Sequence, residues 1–78
     1  RWEEAAYFPI ADAMQQAAKV CDVSLCWGAA WAVPDHKYPY DCRMWEGDME
    51  SCWEAYHQLR RDQGRKGFND MPHFELIV

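Results

Sequence analysis

The end of the chain carries a strict two-residue alternation, and this pattern constrains the fold more than any other. Residues 73–78 follow Pro72 and read His-Phe-Glu-Leu-Ile-Val. Such a period is typical of a β-strand, whose successive side chains point to opposite faces. One predicted face carries His73, Glu75 and Ile77, and the predicted core face carries Phe74, Leu76 and Val78. The strand therefore places an imidazole beside a carboxylate on one side.

Upstream, the pattern predicts a helix over residues 9–21 and a strand over residues 23–27. Pro9 suits the first turn of a helix, where a missing N–H costs nothing. Apolar residues at helical spacing form the predicted buried stripe, namely Ile10, Met14, Ala17, Ala18 and Cys21. The strand would place Val23, Leu25 and Trp27 on one face and end at Gly28.

A long loop over residues 28–47 precedes a second predicted helix over residues 48–63. The loop carries Trp31, Tyr38, Tyr40 and Trp45. Loops of this length usually serve a function or move. Asp48 is the predicted N-cap of the helix, Arg60 and Arg61 complement its dipole, and Gly64 takes the left-handed cap position. Its predicted apolar face holds Met49, Cys52, Trp53, Tyr56 and Leu59.

Composition narrows the class of protein. A chain of 78 residues buries only about 60% of its unfolded surface. Five tryptophans indicate either an unusually aromatic core or an aromatic surface that packs against something absent. A net charge of −5 argues against nucleic-acid binding. No apolar run approaches the roughly 20 residues of a membrane span. Propensity alone therefore predicts a small mixed domain.

The four cysteines, Cys21, Cys26, Cys42 and Cys52, contain no Cys-x-x-Cys pair, which argues against a structural zinc knuckle. Cys21 and Cys52 fall on the apolar faces of the predicted helices, where cysteine behaves as a small hydrophobe. We expect free buried thiols, although a Cys26–Cys42 disulfide is a possible alternative.

Asp70 and His73 form an Asp-x-x-His pair that has two interpretations. Imidazole is the commonest metal ligand, and a nearby carboxylate can accept a proton from metal-bound water. The simpler alternative is a turn aspartate followed by a half-exposed strand histidine. His36 and His57 have no carboxylate or cysteine at ligand spacing, and both are expected at the surface.

Four stretches of the chain, in order, resemble the M15 family of zinc peptidases. Residues 70–76, Asp-Met-Pro-His-Phe-Glu-Leu, resemble its C-terminal zinc motif. Residues 9–14 resemble its helix, residues 25–31 its strand and Trp-Gly turn, and residues 59–68 its linker before the zinc histidine. The likeness is greatest to phage endolysins that cut the L-alanyl-D-glutamate bond of peptidoglycan.

This resemblance implies an α+β fold of the Hedgehog/DD-peptidase type, with an antiparallel sheet and two helices. It implies that His73 is a zinc ligand and that Asp70 is the general base. Glu75 could hold the second imidazole nitrogen or stay solvated. Trp27 and Trp31 could line the substrate cleft or simply pack. The implied cofactor is zinc, and the implied partner is the peptidoglycan stem peptide.

The chain departs from the family in one respect. Members carry an earlier Ser-x-His-x-x-Gly-x-Ala-x-Asp stretch that supplies two zinc ligands, and no such stretch occurs here. Residues 1–78 are therefore interpreted as the C-terminal part of a single peptidase domain, inactive without the missing N-terminal half. Two alternatives stay open: a non-catalytic binding module that retains half of the peptidase fold, and an unrelated small α+β interaction domain.

Overall fold

The computed structural model describes residues 2–36, 38–67 and 69–77, with side chains from residue 4 onward. These residues form an α+β fold of two helices and a two-stranded antiparallel sheet. Helix α1 spans Trp2–Cys21 and helix α2 spans Met49–Asp62; strand β1 spans Leu25–Trp27 and strand β2 spans Phe74–Leu76. A 3-10 turn, Cys42–Met44, lies in the long loop between β1 and α2. The predicted α+β class, with an antiparallel sheet and two helices, is confirmed, whereas its Hedgehog/DD-peptidase type stays a prediction.

Helix α1 begins seven residues before the predicted start, so Pro9 lies inside it. An interior proline costs about 3 kcal/mol because it removes a backbone hydrogen bond. The extra N-terminal turns offset this cost by packing aromatic side chains. The Phe8 ring lies 6.5 Å from that of Trp27 and 5.4 Å from that of Trp53, both edge to face. The predicted helix start was wrong because such contacts are tertiary.

The buried stripe of α1 agrees with the prediction only in part, because Ala18 is buried and Met14 packs on the core as predicted, whereas the other three predicted residues are exposed. Ile10 is 50% exposed, and Ala17 and Cys21 are exposed as well. The buried residues are Ala11, Gln15 and Ala18. The small alanine side chains let the helix lie close to the core. The Gln15 amide forms hydrogen bonds with backbone carbonyl groups of the loop before α2. Its Nε2 donates to the carbonyl oxygens of Cys42, at 3.1 Å, and Trp45, at 2.9 Å.

Strand β1 is buried on both faces rather than one, since Leu25, Cys26 and Trp27 are all inaccessible. It packs between β2, α1 and the 3-10 turn. Asp41 fastens the turn to it, because its Oδ1 accepts from the Leu25 and Arg43 backbone amides. The predicted strand began at residue 23, but Val23 lies just outside it.

Strand β2 pairs with β1 so that Trp27 faces Phe74 and Leu25 faces Leu76. Phe74 packs on the core as predicted. Leu76 is 59% exposed, so its predicted core position was wrong. Among the described residues β2 packs mainly against β1, and its far end has no covering element. Val78, also predicted as core, lies outside the described residues.

Helix α2 begins and ends where local sequence signals predict. Asp48 is the N-cap, and its Oδ1 accepts a 2.9 Å hydrogen bond from the Ser51 amide. This bond lowers the pKa of the Asp48 carboxyl group. Gly64 follows the helix with a φ of +69°, a conformation that favours glycine. Met49, Cys52 and Tyr56 are buried against the core.

All four cysteines are free thiols, and three of them are buried. Burial raises the pKa of Cys26 and raises those of Cys42 and Cys52 to about 12. Cys21 is exposed, which corrects its predicted place on an apolar face. No helix among the described residues is both long and apolar enough to cross a membrane.

Candidate functional site

The Asp70–His73 segment forms a tight turn that is fastened to Gly28. The His73 amide donates to the Asp70 carbonyl at 3.1 Å, which closes the turn. Gly28 accepts from the Asp70 amide and donates to the His73 carbonyl, both at 2.7 Å. A side chain at residue 28 would collide with the Asp70 carbonyl and with Cβ of His73. Glycine is therefore required there, and it fixes where β2 starts.

Trp27 holds the same turn from inside the core. Its indole Nε1 donates a 2.7 Å hydrogen bond to the carbonyl of Met71, and its ring stacks on Phe74 at 6.0 Å between centroids. The Trp27 side chain is fully buried, so it packs and does not line a cleft. Of the two roles open to Trp27, the described residues show packing.

His73 and Glu75 meet on the solvent side of β2. The His73 Nε2 atom lies 2.8 Å from Oε1 of Glu75. Their side chains are 41% and 57% exposed, respectively. The pair is thus hydrogen-bonded and open to solvent, the arrangement in which a carboxylate orients an imidazole. Glu75 thus contacts the ring and is also solvated, and its role of orienting a metal-bound imidazole stays a prediction.

Asp70 precedes His73 in the turn and is half-buried. The described residues contain no group of three or more His, Cys, Asp or Glu side chains that could hold a metal ion. A zinc site needs three protein ligands at chelating geometry. The residues described here therefore do not form a complete zinc site by themselves.

Trp31 connects this site to an aromatic cleft. Its ring lies 5.6 Å from that of His73 and 5.8 Å from that of Tyr38. The Tyr40 amide donates to the Trp31 carbonyl at 2.9 Å, which closes the loop and brings Tyr38 over Trp31. The cleft has a volume of about 340 Å³. It is lined by Trp31, Ala32, Tyr38, Tyr56 and Arg60.

The sequence prediction missed Tyr38, Tyr56 and Arg60 as members of one site. Tyr56 and Arg60 are four residues apart in α2 and so share a face, a signal that the sequence carries. Tyr56 and Arg60 meet the aromatic loop only because the Tyr40 amide bonds to the Trp31 carbonyl and closes that loop. No local sequence pattern predicts this contact.

His57 corrects another expectation, because it is half-buried and not a surface residue. Its Nε2 atom is buried and has no hydrogen-bond partner among the described residues. Desolvation lowers the pKa of the ring below its ordinary value of 6.5. Its ring lies 4.7 Å from that of Trp53, in the groove beside α1 and α2. His36 is exposed, as expected.

No protein-family model, curated protein or solved structure matches this chain. The resemblance to M15 peptidases therefore rests on the sequence alone and stays a prediction.

Proposed function

We propose that this chain forms the C-terminal part of an M15-type zinc peptidase domain that hydrolyses stem-peptide bonds of bacterial peptidoglycan. The contact between His73 and Glu75 carries the proposal. Metal-binding histidines usually give their second ring nitrogen to a carboxylate, which fixes the ring and its tautomer. The 2.8 Å distance from Nε2 to Oε1 provides that arrangement in the motif that resembles the zinc motif.

Each residue of the motif has a role in this proposal. His73 is one metal ligand and Glu75 orients its ring. Asp70, at the other end of the same turn, is the general base. Because the described residues hold no complete metal site, the remaining ligands come from a segment outside them. A lone imidazole binds zinc weakly, so we expect the 78-residue chain by itself to be inactive.

Zinc calorimetry tests the proposal on two forms of the protein, the 78-residue chain and a form extended at its N terminus by upstream coding sequence. We expect tight, stoichiometric binding and muropeptide cleavage only in the extended form. His73→Ala in that form should abolish both, whereas His36→Ala, which changes an exposed histidine, should preserve them. Tight binding by the 78-residue chain, or full activity of the His73→Ala variant, contradicts the proposal.

The aromatic cleft favours a second candidate, a non-catalytic binding module that uses the same fold. The described residues of its lining give an apolar surface with one cation, Arg60, which suits binding of a ligand without a reaction. Ligand binding in the presence of a chelator, together with no zinc uptake by either form, would support this second candidate over the first.

A further inference from the structure

The aromatic cleft has the size of a small-ligand site. Its volume of about 340 Å³ falls within the range of roughly 300–1,000 Å³ that is usual for such sites. Among the described residues its lining comes from two places, the closed loop and the last turns of α2. Both are fixed by hydrogen bonds, since the Tyr40 amide closes the loop and Gln63 caps the helix. The cleft is therefore preformed.

Two aromatic rings form its mouth and a third forms its inner wall. The Trp31 and Tyr38 rings lie 5.8 Å apart at an interplanar angle of 34°, which leaves their faces splayed. Tyr38 is 68% exposed, whereas Tyr56 is 2% exposed and belongs to the core. An exposed tyrosine beside a half-buried tryptophan offers a large, rigid surface for an apolar group.

Among the described residues, Arg60 provides the one charge of the lining. Its guanidinium carbon lies 6.0 Å from the Tyr56 ring centroid, and its Nε donates to the Lys66 carbonyl at 3.3 Å. Among the described residues it forms no ion pair. Its terminal Nη groups therefore keep donors that match a carboxylate, which arginine binds through two parallel hydrogen bonds.

Charge complementarity defines the ligand. The protein carries a net charge of −5, so it repels anions in general, and within the described lining Arg60 is the cation that can hold an anion. Trp31 also lies beside His73, at 5.6 Å between ring centroids. A ligand in the cleft would therefore lie next to the His73–Glu75 pair.

We propose that the cleft binds a short peptide through a carboxylate at Arg60, with the peptide's apolar part on Trp31 and Tyr38. The choice of a peptide rests on the proposed function, whereas carboxylate recognition rests on the lining alone. The site thus selects the end of the substrate that carries the charge and places the rest of it beside His73.

Binding of acetyl-alanyl-glutamate and of its diamide to the 78-residue chain tests this proposal. We expect the acid to bind, the diamide to bind at least about tenfold more weakly, and the acid's affinity to fall with added salt. Arg60→Gln should remove the preference for the acid. Arg60→Lys should restore part of it, because lysine keeps the charge but not the planar fork.

The control is Arg61→Gln, because Arg61 is the next residue of α2 and its Nη2 donates to Gln58 instead. It should leave the affinity unchanged. Tyr38→Ala, a change at an exposed residue, should weaken the binding of the acid and of the diamide equally. Equal binding of the two probes by the parent chain, or equal losses in Arg60→Gln and Arg61→Gln, would overturn the proposal.

Failure of the peptidase proposal has a separate signature. Zinc uptake and cleavage would then be absent from the extended form while the acid still bound at Arg60. Cleavage with no preference for the acid would leave the peptidase proposal standing and refute this one.

Discussion

The indole of Trp27 donates a 2.7 Å hydrogen bond to the carbonyl of Met71, across the point where the two strands meet. Both groups are buried, so removal of the donor leaves a carbonyl without its partner in the core. Trp27→Phe keeps an aromatic ring but loses this bond. We expect it to lower the free energy of unfolding by about 1–3 kcal/mol, as measured by urea denaturation.

Trp53→Phe is the matched control, because its indole makes a 3.3 Å hydrogen bond to Asn69 at the surface. Its cost should stay below about 1 kcal/mol. If both variants lost the same free energy of unfolding, the buried hydrogen bond of Trp27 would contribute nothing to stability.

Gly28→Ala should displace the turn that carries Asp70 and His73. The new Cβ would lie 2.9 Å from Cβ of His73, too close for either backbone to stay in place. We expect a loss of about 1–3 kcal/mol in stability, together with large NMR shift changes at His73 and Glu75. Gly64→Ala meets no atom within 4 Å and suffers only from its positive φ. Gly64→Ala should lower the stability by about 1–2 kcal/mol and leave the NMR signals of His73 and Glu75 unchanged.

His57 should make the protein less stable as the pH falls. Desolvation lowers the pKa of its ring in the folded state below the ordinary 6.5. As the pH drops through 6.5, the unfolded chain therefore binds a proton that the folded chain does not, and the free energy of unfolding decreases. His57→Gln should flatten this decrease between about pH 7.5 and 5.5 in urea melts. The same change at exposed His36 should leave the curve unaltered; a flattening of equal size there would contradict the assignment.

The thiols should divide into one reactive group and three protected ones. The thiolate is the reactive form, and burial raises the pKa of Cys42 and Cys52 to about 12. With a thiol-exchange reagent at about pH 8, we expect one fast equivalent from exposed Cys21 and three more only after unfolding. Cys21→Ser should remove the fast phase alone. Reaction of two or more thiols in the fast phase of the native protein would contradict the burial of Cys26, Cys42 and Cys52.

The sequence predicted best where a signal is local. The Asp48 cap and the left-handed Gly64 depend on neighbouring residues and were found correctly. The face of α1 was misplaced in part, because Gln15 is buried where its amide donates to the carbonyls of Cys42 and Trp45, which are distant in sequence. A hydrophobicity pattern assigns such a glutamine to the surface.

In the candidate site, too, only the part that depends on local sequence could be predicted. The His73–Glu75 contact followed from strand alternation, since residues two apart share a face. The cleft could not be predicted, because it depends on the Tyr40 amide reaching the Trp31 carbonyl and on α2 packing against the closed loop. The role of His73 as a zinc ligand stays a prediction.

The side-chain amide of Gln15 links α1 to the aromatic cleft, although no described residue of α1 lines that cleft. The two hydrogen bonds from Gln15 fix both ends of the 3-10 turn, which in turn holds Asp41 against β1. Fraying of α1 would therefore release the turn and loosen the loop that carries Trp31 and Tyr38. The helix and the loop should open as one cooperative unit, with their amide hydrogens exchanging with solvent at a shared rate. A ligand held between Trp31 and Arg60 would then slow deuterium uptake in α1 without touching it.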